Sequence, residues 1–474
     1  MTGGREHTTE AGRRVDGTRP PASLRVFSTC VLATLMATGA LFALRPWQAL
    51  GQMPEALPPR TGHLHTFSET FAQAQLMTLT TSGSRWQTPD GEVTLATDDL
   101  LRWRSCPAAV IGPALLLRDG GCLAGTLLAW TDTGVLLASP LLGRLRLPRD
   151  AVAAWGTIPL PSGGLGTDAP CVVHLTNGDS LMAAAFAMHE AADSATVTLA
   201  TIAGENQPPT AFRIPRDRIH TIVVNAPRTS PQAHGDDCPL AIVGLADGTR
   251  LHVAAMEPAE NGLVVITPVV SGGGRLPPLS LPADAITGLL AVGPHAWPLA
   301  WLPVAGYEQK PQLGPAWPLA VGSTLTGAPI AARGLRAFTG LGVHAASRLT
   351  YQLPDQQSSD AEQRLLGHVA LDDAVGQGGS VAIRVWVGET RDTLRLRWES
   401  AIIRGGDAPL MIDVDVSGCQ WLELEVDPTG DGDAQDRTLW LEPRLVKRQT
   451  SQTARRGPSP AASDASLGTS PGRR

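Results

Sequence analysis

The sequence that decides the fold of the middle of the chain recurs three times, as LRLPRDAVAAW at 145–155, FRIPRDRIHTI at 212–222 and LSLPADAITGL at 279–289. The proline of this motif falls at positions 148, 215 and 282, so successive copies lie 67 residues apart. Two equal intervals of this length indicate an internal repeat.

Each copy also opens in the same way, with an apolar run that meets Asp-Gly or Asn-Gly and then continues into a second apolar run. Asp-Gly and Asn-Gly supply the positive φ angles of a tight hairpin turn. Five short strands in each repeat predict a small, strongly bent β-barrel that resembles Sm-like and SH3-type barrels in architecture only. Because few basic residues alternate with aromatic ones, no nucleic-acid partner is expected.

The residue pattern of the sequence changes from Trp297 onward. Polar and apolar residues alternate in RLTYQL, SVAIRVWVG, MIDVDVSG and QWLELEVD, and Gly/Asp-rich turns separate these runs. Such alternation over about 150 residues, without a helical period, predicts half-buried strands and a β-sandwich.

Several motifs in this region follow one another in a recognisable order: GLGVH at 340–344, SRLTYQL at 347–353, LDD at 371–373, WES at 398–400 and GDGDAQD at 430–436. The series resembles the NPCBM family, the novel putative carbohydrate-binding module, over residues 295–446. The resemblance implies a galactose-binding-type β-sandwich that binds carbohydrate, with the sugar unspecified (galactose-like or an envelope glycan).

The predicted fold class is mainly β, with tandem small β-barrel repeats, a C-terminal sandwich and one N-terminal hydrophobic helix. The expected organisation is a signal peptide or signal anchor at 1–51, a degenerate β repeat at 60–104, small β-barrel repeats at 105–160, 168–226 and 236–294, the NPCBM-like sandwich at 295–446 and a disordered basic tail at 447–474.

A sugar site is expected at the loop edge of the sandwich. The predicted carbohydrate-binding residues are His344, Arg404, Arg437 and Trp440. Trp440 follows the Gly/Asp-rich loop and is expected to be exposed, whereas the alternation around Trp386 and Trp421 favours the core. His344 either faces a ligand or is a core histidine bonded to the backbone. The resembled family usually continues with Asp-His-Ala-Asp/Asn-Trp where this chain has DRTLW at 436–440, so its His and second acid are missing.

Acidic residues crowd the same loop. Carboxylates this close together repel one another unless a cation or solvent screens them. A structural calcium ion is the one cofactor that the sequence suggests, and the alternative is a solvated acidic loop. The predicted calcium ligands are Asp427, Asp431, Asp433, Asp436 and Glu442.

The N-terminus carries an uncharged run from Val26 to Leu44 behind a basic, polar stretch. Its 19 residues would span about 28 Å as a helix, close to the thickness of a bilayer core. A basic flank and an apolar run predict export. Cleavage near Gly51 and an uncleaved membrane anchor remain equally open, so the membrane is a partner only if the segment stays attached.

Composition narrows the function further. Fifty Gly and 39 Pro among 474 residues, with 43% hydrophobic residues and a net charge of −6, exclude a collagen, a coiled coil and a multi-span membrane protein.

Outside the leader, the cysteines allow bridges Cys106–Cys122 and Cys171–Cys238 or buried free thiols.

Catalytic signatures such as G-x-S-x-G or a P-loop are absent from the sequence. We therefore expect a non-catalytic, exported or membrane-anchored protein of the cell envelope whose sandwich binds carbohydrate weakly. The alternative is a protein–protein interaction or assembly module of the envelope without sugar binding.

Overall fold

The computed structural model describes residues 61–158, 169–199, 210–225, 238–270, 274–312, 314–354 and 361–449. The predicted N-terminal helix, the cleavage site near Gly51 and all but three residues of the basic tail lie outside these residues. Within the described ranges, no helix has the length and apolar character needed to cross a bilayer. The prediction of a mainly β protein is confirmed, since the described helices are 3-10 turns of three residues.

The region before the sandwich contains four groups of strands. The first group contains β1 (Gly62–Thr66), β2 (Thr70–Thr80), β3 (Gly83–Thr88), β4 (Gly91–Leu95) and β5 (Leu100–Trp103). The second contains β6 (Pro113–Leu117), β7 (Cys122–Ala124), β8 (Thr126–Thr131), β9 (Gly134–Ser139), β10 (Gly143–Leu147) and β11 (Val152–Thr157). The third contains β12 (Cys171–Leu175), β13 (Ser180–Ala187), β14 (Ser194–Leu199), β15 (Ala211–Pro215) and β16 (Ile219–Val224). The fourth contains β17 (Ala241–Leu245), β18 (Arg250–Pro258), β19 (Leu263–Val270), β20 (Gly274–Arg275), β21 (Leu279–Pro282) and β22 (Ile286–Ala291).

The repeated sequence motif encodes one corner of the second, third and fourth groups. Pro148, Pro215 and Pro282 precede 3-10 turns, and the last strand of the group starts directly after each turn. The fixed φ of proline fits this position, where the missing N–H removes no helical hydrogen bond. The 3-10 turns in the described residues are Arg149–Ala151, Arg216–Arg218, Glu260–Gly262, Ala283–Ala285, Leu299–Trp301, Asp373–Val375 and Arg391–Thr393.

The hairpins predicted at Asp-Gly and Asn-Gly are confirmed. Gly120, Gly178 and Gly248 have φ values of 92°, 92° and 90°, a conformation that glycine adopts without strain. The strands on either side of each turn pair antiparallel, as β6–β7, β12–β13 and β17–β18. The last strand of each group returns to pair with the first, as β16 does with β12.

The groups are joined through their last strands. β5 pairs with β22, which links the first group to the fourth, and β11 pairs with β16, which links the second to the third. Among the described residues, 19 strands of these groups form one hydrogen-bonded network. One apolar cluster that includes Trp86, Trp130 and Phe186 fills its interior. Since a group of about 60 residues buries only a marginal core alone, shared packing supplies the rest.

The C-terminal part forms a sandwich of two antiparallel sheets. Its strands are β23 (Ala296–Pro298), β24 (Val304–Gln309), β25 (Ala320–Val321), β26 (Ala331–Ala332), β27 (Leu335–Arg336), β28 (Gly340–His344), β29 (Ser347–Gln352), β30 (Ala361–Leu371), β31 (Ser380–Gly388), β32 (Arg395–Glu399), β33 (Ile403–Arg404), β34 (Leu410–Asp415), β35 (Trp421–Pro428) and β36 (Arg437–Gln449). One sheet has the order β25-β28-β36-β30-β34 and the other β24-β29-β35-β31-β32. Apolar side chains of both sheets meet between them.

The Cys106, Cys122 and Cys171 side chains are free thiols. Neither Cys106–Cys122 nor Cys171–Cys238 forms a bridge. The Arg250 guanidinium interacts with the thiols of both Cys106 and Cys122. Burial raises the pKa of Cys106 and of Cys171 to about 11, so both side chains are neutral apolar groups of the interior.

Candidate functional site

The end of the sandwich where β28 and β35 finish and β31 and β36 begin carries most of the predicted site residues. We call this end the rim, and define it by loop 310–319, turn 345–346, loop 376–379, residues 404–407 and loop 429–436. The backbone amide of Gln312 donates to Asp433 Oδ2 at 2.6 Å, which ties loop 310–319 to the acidic loop. The side-chain amide of Gln309, at the end of β24, donates to the carbonyl of Ala345 at 3.0 Å and ties the start of this loop to the turn.

His344 lies at the end of β28 and is 7% exposed. Its ring stacks in parallel on the indole of Trp317, with centroids 5.9 Å apart and an interplanar angle of 7°. Its Nδ1 lies 3.1 Å from the carbonyl oxygen of Ala345. His344 therefore supports an aromatic ring and is bonded to the backbone, in line with the core alternative.

Sequence reasoning missed Trp317, although it is the half-exposed aromatic side chain of the rim. Its amide donates to Gln309 Oε1, and its carbonyl accepts a hydrogen bond from the Tyr307 hydroxyl at 3.1 Å. These bonds hold the backbone of Trp317, while its indole stacks on His344. The signal in the sequence was a tryptophan between prolines in a Gly/Pro-rich segment, outside any alternating strand.

Arg437 begins β36 and pairs with His344 across the strands. It is half-buried, and its buried Nε has no hydrogen-bond partner among the described residues. Arg404 is exposed at the end of β33, where its backbone amide donates to Asp407 Oδ2 at 2.8 Å. Both arginines therefore lie on the rim.

The expectation that Trp440 is exposed is wrong. Trp440 is the fourth residue of β36, is 1% exposed and belongs to the apolar core of the sandwich. It faces Leu341 and Val369 on the neighbouring strands. The strand begins directly after the acidic loop, so the indole is inside the sheet. A ring so deeply buried offers no face to a sugar.

Trp386 and Trp421 depart from expectation in the opposite direction. Both are half-buried. Between the buried residues Val385 and Val387, Trp386 points to the outer face, and its Nε1 donates to Glu425 Oε2 at 2.7 Å. Alternation fixes two faces of a strand but does not say which face is inside.

The five predicted calcium ligands are not brought together. Asp427 pairs with Arg384 at 2.7 Å on the outer face of the second sheet. Glu442 accepts hydrogen bonds from Arg102 and from the amide of Phe338, at 3.1 and 3.0 Å. Within the described ranges, no cluster of three or more His, Cys, Asp or Glu side chains could hold a metal ion. The predicted ligand set is therefore not assembled.

The other three acids are held by local donors at the rim. Asp431 accepts hydrogen bonds from the hydroxyls of Thr429 and Ser380, which lower its pKa. Asp436 is fully buried and accepts the amide hydrogen of Ser380 at 2.8 Å. Burial, with a smaller contribution from Asp431 and Asp433, raises the pKa of Asp436 to about 6. These acids organise the loop.

The rim thus combines a fixed, half-exposed indole with arginine donors. An indole offers an apolar face, and guanidinium N–H groups donate to oxygen atoms. This combination suits a ligand that has both C–H faces and hydroxyl groups.

Comparison with known proteins places this domain. Residues 307–446 match the NPCBM/NEW2 domain model. Among curated proteins, nothing matches the chain. A solved structure of CBM51 from Clostridium perfringens GH95 in complex with methyl-galactose is 19% identical, with 32% of this chain and 99% of that chain covered and a TM-score of 0.27. The tandem CBM51 modules of a family 98 glycoside hydrolase from Streptococcus pneumoniae are 10% identical, with 59% and 89% covered and a TM-score of 0.27.

A third similar structure is CBM51-2 with INT domains from Clostridium perfringens ZmpB in complex with GlcNAc, at 18% identity and a TM-score of 0.27. The alignment covers 42% of this chain and 41% of that one. The family match at 307–446 coincides with the ordered motifs and with the sandwich described above. The C-terminal third of this chain therefore carries an NPCBM/NEW2 domain, as the sequence predicts.

Proposed function

We propose that this protein is a non-catalytic carbohydrate-binding protein, and that the rim of its NPCBM/NEW2 domain is the binding surface. The observation that carries the proposal is the half-exposed Trp317, fixed on His344 within the segment that matches the family. The backbone of Trp317 is held by the bonds to Gln309 and Tyr307, and its ring stacks on the buried His344, so little side-chain freedom is lost when a ligand packs on the indole.

Recognition follows from the two kinds of group on the rim. A sugar ring packs its C–H face on the indole of Trp317, and its hydroxyls accept hydrogen bonds from Arg437. The contact is open to solvent and contains one aromatic ring, so binding is weak, with a Kd on the order of 1 mM. The predicted role of Arg404 is to contact a second sugar residue along the rim.

A glycan array probed with the full chain tests the proposal, followed by titration of each hit by NMR. We expect Trp317→Ala to weaken binding about tenfold or more. Trp421→Ala is the matched control, because Trp421 is equally half-buried but begins β35 at the opposite end from the rim. Absence of binding to every sugar, or equal loss in both variants, would remove the proposal.

The second candidate is a protein-interaction or assembly module. Exposed apolar side chains on the sheet edges favour it, since Leu396 on β32 and Leu410 and Met411 on β34 are all open to solvent. Cross-linking in intact envelopes separates the two candidates. A defined protein partner that competing sugars do not displace supports the second, whereas loss of the cross-link with sugar supports the first.

We also propose that the protein is exported and lies in the cell envelope, with the four repeats spacing the sandwich from the membrane. The support is the uncharged run from Val26 to Leu44 behind basic residues. Fractionation with an alkaline wash distinguishes the two forms, because a retained segment keeps the chain in the membrane and a chain cleaved near Gly51 is released.

A further inference from the structure

A cleft with a volume of about 1090 Å³ lies between the repeats and the sandwich. The repeats contribute β1, β5 and residues 104–108, and the sandwich contributes β27, residues 366–368, residues 411–412 and two side chains of β36. Pockets for small organic ligands typically have volumes of about 300–1,000 Å³. This cleft is therefore large enough for such a ligand, and it is formed by both parts of the compact unit.

The charges that line the cleft are strongly unequal. Among the described residues of the lining, Glu442 is the one carboxylate, whereas Arg102, Arg104, Arg336 and Arg444 all contribute positive charge. Glu442 is already engaged, because Oε2 accepts a hydrogen bond from Arg102 and Oε1 accepts one from the amide of Phe338. The cleft thus keeps an excess of positive charge.

Arg444 is the most informative of these side chains. It is 7% exposed, and its Nε and Nη1 are buried without a hydrogen-bond partner in the described part of the chain. The closest carboxylate oxygen, Glu442 Oε2, lies 3.8 Å from Nη1 and is shared with Arg102. Burial lowers the pKa of Arg444 to about 10, so the guanidinium is still charged at neutral pH. A buried cation with unused donors is costly unless an anion reaches it.

We propose that this cleft binds the carboxylate, sulfate or phosphate group of a small organic acid on the guanidinium of Arg444. A guanidinium presents N–H donors in a planar fork that matches two oxygens of such a group. Arg336, exposed on β27 at the mouth of the cleft, supplies a second positive charge. This site lies apart from Trp317 and does not depend on sugar binding at the rim.

The remaining lining indicates that the ligand has an organic body. Leu335, Leu366 and Met411 give the sandwich side of the cleft an apolar wall. On the repeat side, the Thr70 hydroxyl lies 3.2 Å from His65 Nδ1, and this polar pair lines the cleft. A sugar acid or another small organic acid can contact both the apolar wall and the polar groups, whereas an inorganic ion contacts only the arginines.

The test titrates the full chain by calorimetry at constant ionic strength with sodium glucuronate, sodium sulfate and sodium phosphate, and with methyl glucoside as the uncharged counterpart. We expect saturable binding of the anions, tightest for glucuronate, both in the parent protein and in Trp317→Ala, and no binding of methyl glucoside in Trp317→Ala. Tighter binding of sulfate or phosphate than of glucuronate would still identify an oxyanion site but would overturn the inference that its ligand has an organic body. No saturable binding of any of the three anions would overturn the site itself.

Variants locate the site. Arg336→Gln is expected to weaken glucuronate binding roughly three- to tenfold. Arg333→Gln is the matched control, because Arg333 is exposed in the turn of the same hairpin and is not part of the cleft lining. Equal weakening in both variants would mean general charge attraction and would sink the proposal.

Arg444→Met removes the buried cation itself. We expect it to abolish anion binding while leaving the melting temperature unchanged or higher, because the guanidinium is poorly compensated. If this variant folds and binds glucuronate as before, the proposal is wrong; if it does not fold, Arg336→Gln decides. Trp317→Ala is expected to leave anion binding unchanged, so failure of the rim proposal and failure of this one are distinguishable.

Discussion

The fourth repeat and the sandwich are both antiparallel β structures, yet β17 of the first and β31 of the second use their two faces differently. In the fourth repeat all five residues of β17 are buried, because neighbouring strands and loops cover both faces. In the sandwich, β31 alternates between buried and half-buried residues along its length. The fourth repeat therefore covers both faces of β17, whereas β31 of the sandwich keeps an outer face for other contacts.

The charged groups follow the same division. On the outer face of the second sheet, Arg348 donates to Glu423 at 3.1 Å and to Glu425 at 2.9 Å, and both carboxylates are largely buried. In the first repeat, Arg85 and Glu92 form a pair at 3.3 Å with about half of each side chain exposed. Removing one partner of a pair whose carboxylates are buried costs stability because it leaves a buried group uncompensated, whereas removing one partner of an exposed pair costs little.

The boundary between the two regions is an apolar cluster. Trp301, directly before the sandwich strand β24, is 3% exposed and packs edge-on against His252 of the fourth repeat, with ring centroids 5.1 Å apart. Ile242 and Leu290 belong to the same cluster. The two regions therefore share buried apolar surface and are expected to unfold together.

The largest expected effect comes from breaking this boundary. Trp301→Ala removes a buried indole and should lower the free energy of unfolding by about 3–5 kcal/mol. It should also split the single thermal transition of the parent protein into two, one for each region. Differential scanning calorimetry measures both quantities, with Trp421→Ala as a control that leaves the boundary intact. A single sharp transition in Trp301→Ala would show that this cluster does not couple the regions.

A smaller effect compares the charges of the two regions directly. Glu425→Gln replaces the carboxylate that accepts hydrogen bonds from Arg348 and from the Trp386 indole with an uncharged amide. We expect a loss of about 2 kcal/mol. The same substitution in the first repeat, Glu92→Gln, should change stability by less than about 0.5 kcal/mol. Chemical denaturation of both variants gives the two values, and equal losses would contradict the difference between the regions.

The sequence predicts the features that are local and leaves open those that depend on distant contacts. The proline motif and the Asp-Gly turns determine strand order within each repeat, because proline and glycine act on their own backbone angles. The sandwich follows from alternation together with the family motifs. The pairing of β5 with β22 and of β11 with β16 is not readable from either pattern, since it joins segments that lie far apart in sequence.

The site shows the same limit. His344 was found because it falls in a family motif, and Arg437 because it is a possible donor to hydroxyls beside the acidic loop. The structure places the two side by side on adjacent strands. Trp440 was misplaced because nothing in DRTLW marks where the loop ends and β36 begins. The cleft brings together Arg102 and Arg444, which lie far apart in the sequence. No local sequence pattern therefore indicates this site.

The smallest effect tests whether the acidic loop at the rim is held by protons and local donors or by a cation. Asp436 has a pKa of about 6 in the folded protein, against 3.8 for the ordinary side chain. A carboxyl group whose pKa is raised by folding holds its proton more tightly in the folded state. The folded state therefore loses stability as the pH rises from about 4 to about 6, and it does not regain it above.

Asp436→Asn keeps an oxygen for the Ser380 amide and removes the ionisation. At pH 7.5 it should stabilise the sandwich by about 1–2 kcal/mol, and at pH 4 it should have little effect. Melting curves of both proteins at the two pH values, with and without a chelator, give the comparison. Destabilisation of Asp436→Asn at pH 7.5, together with a chelator-sensitive parent protein, would instead show that the carboxylate holds a cation. The sandwich rim would then differ from the repeats in needing a bound ion, because its acids would be neutralised by the ion and not by protonation and local hydrogen bonds.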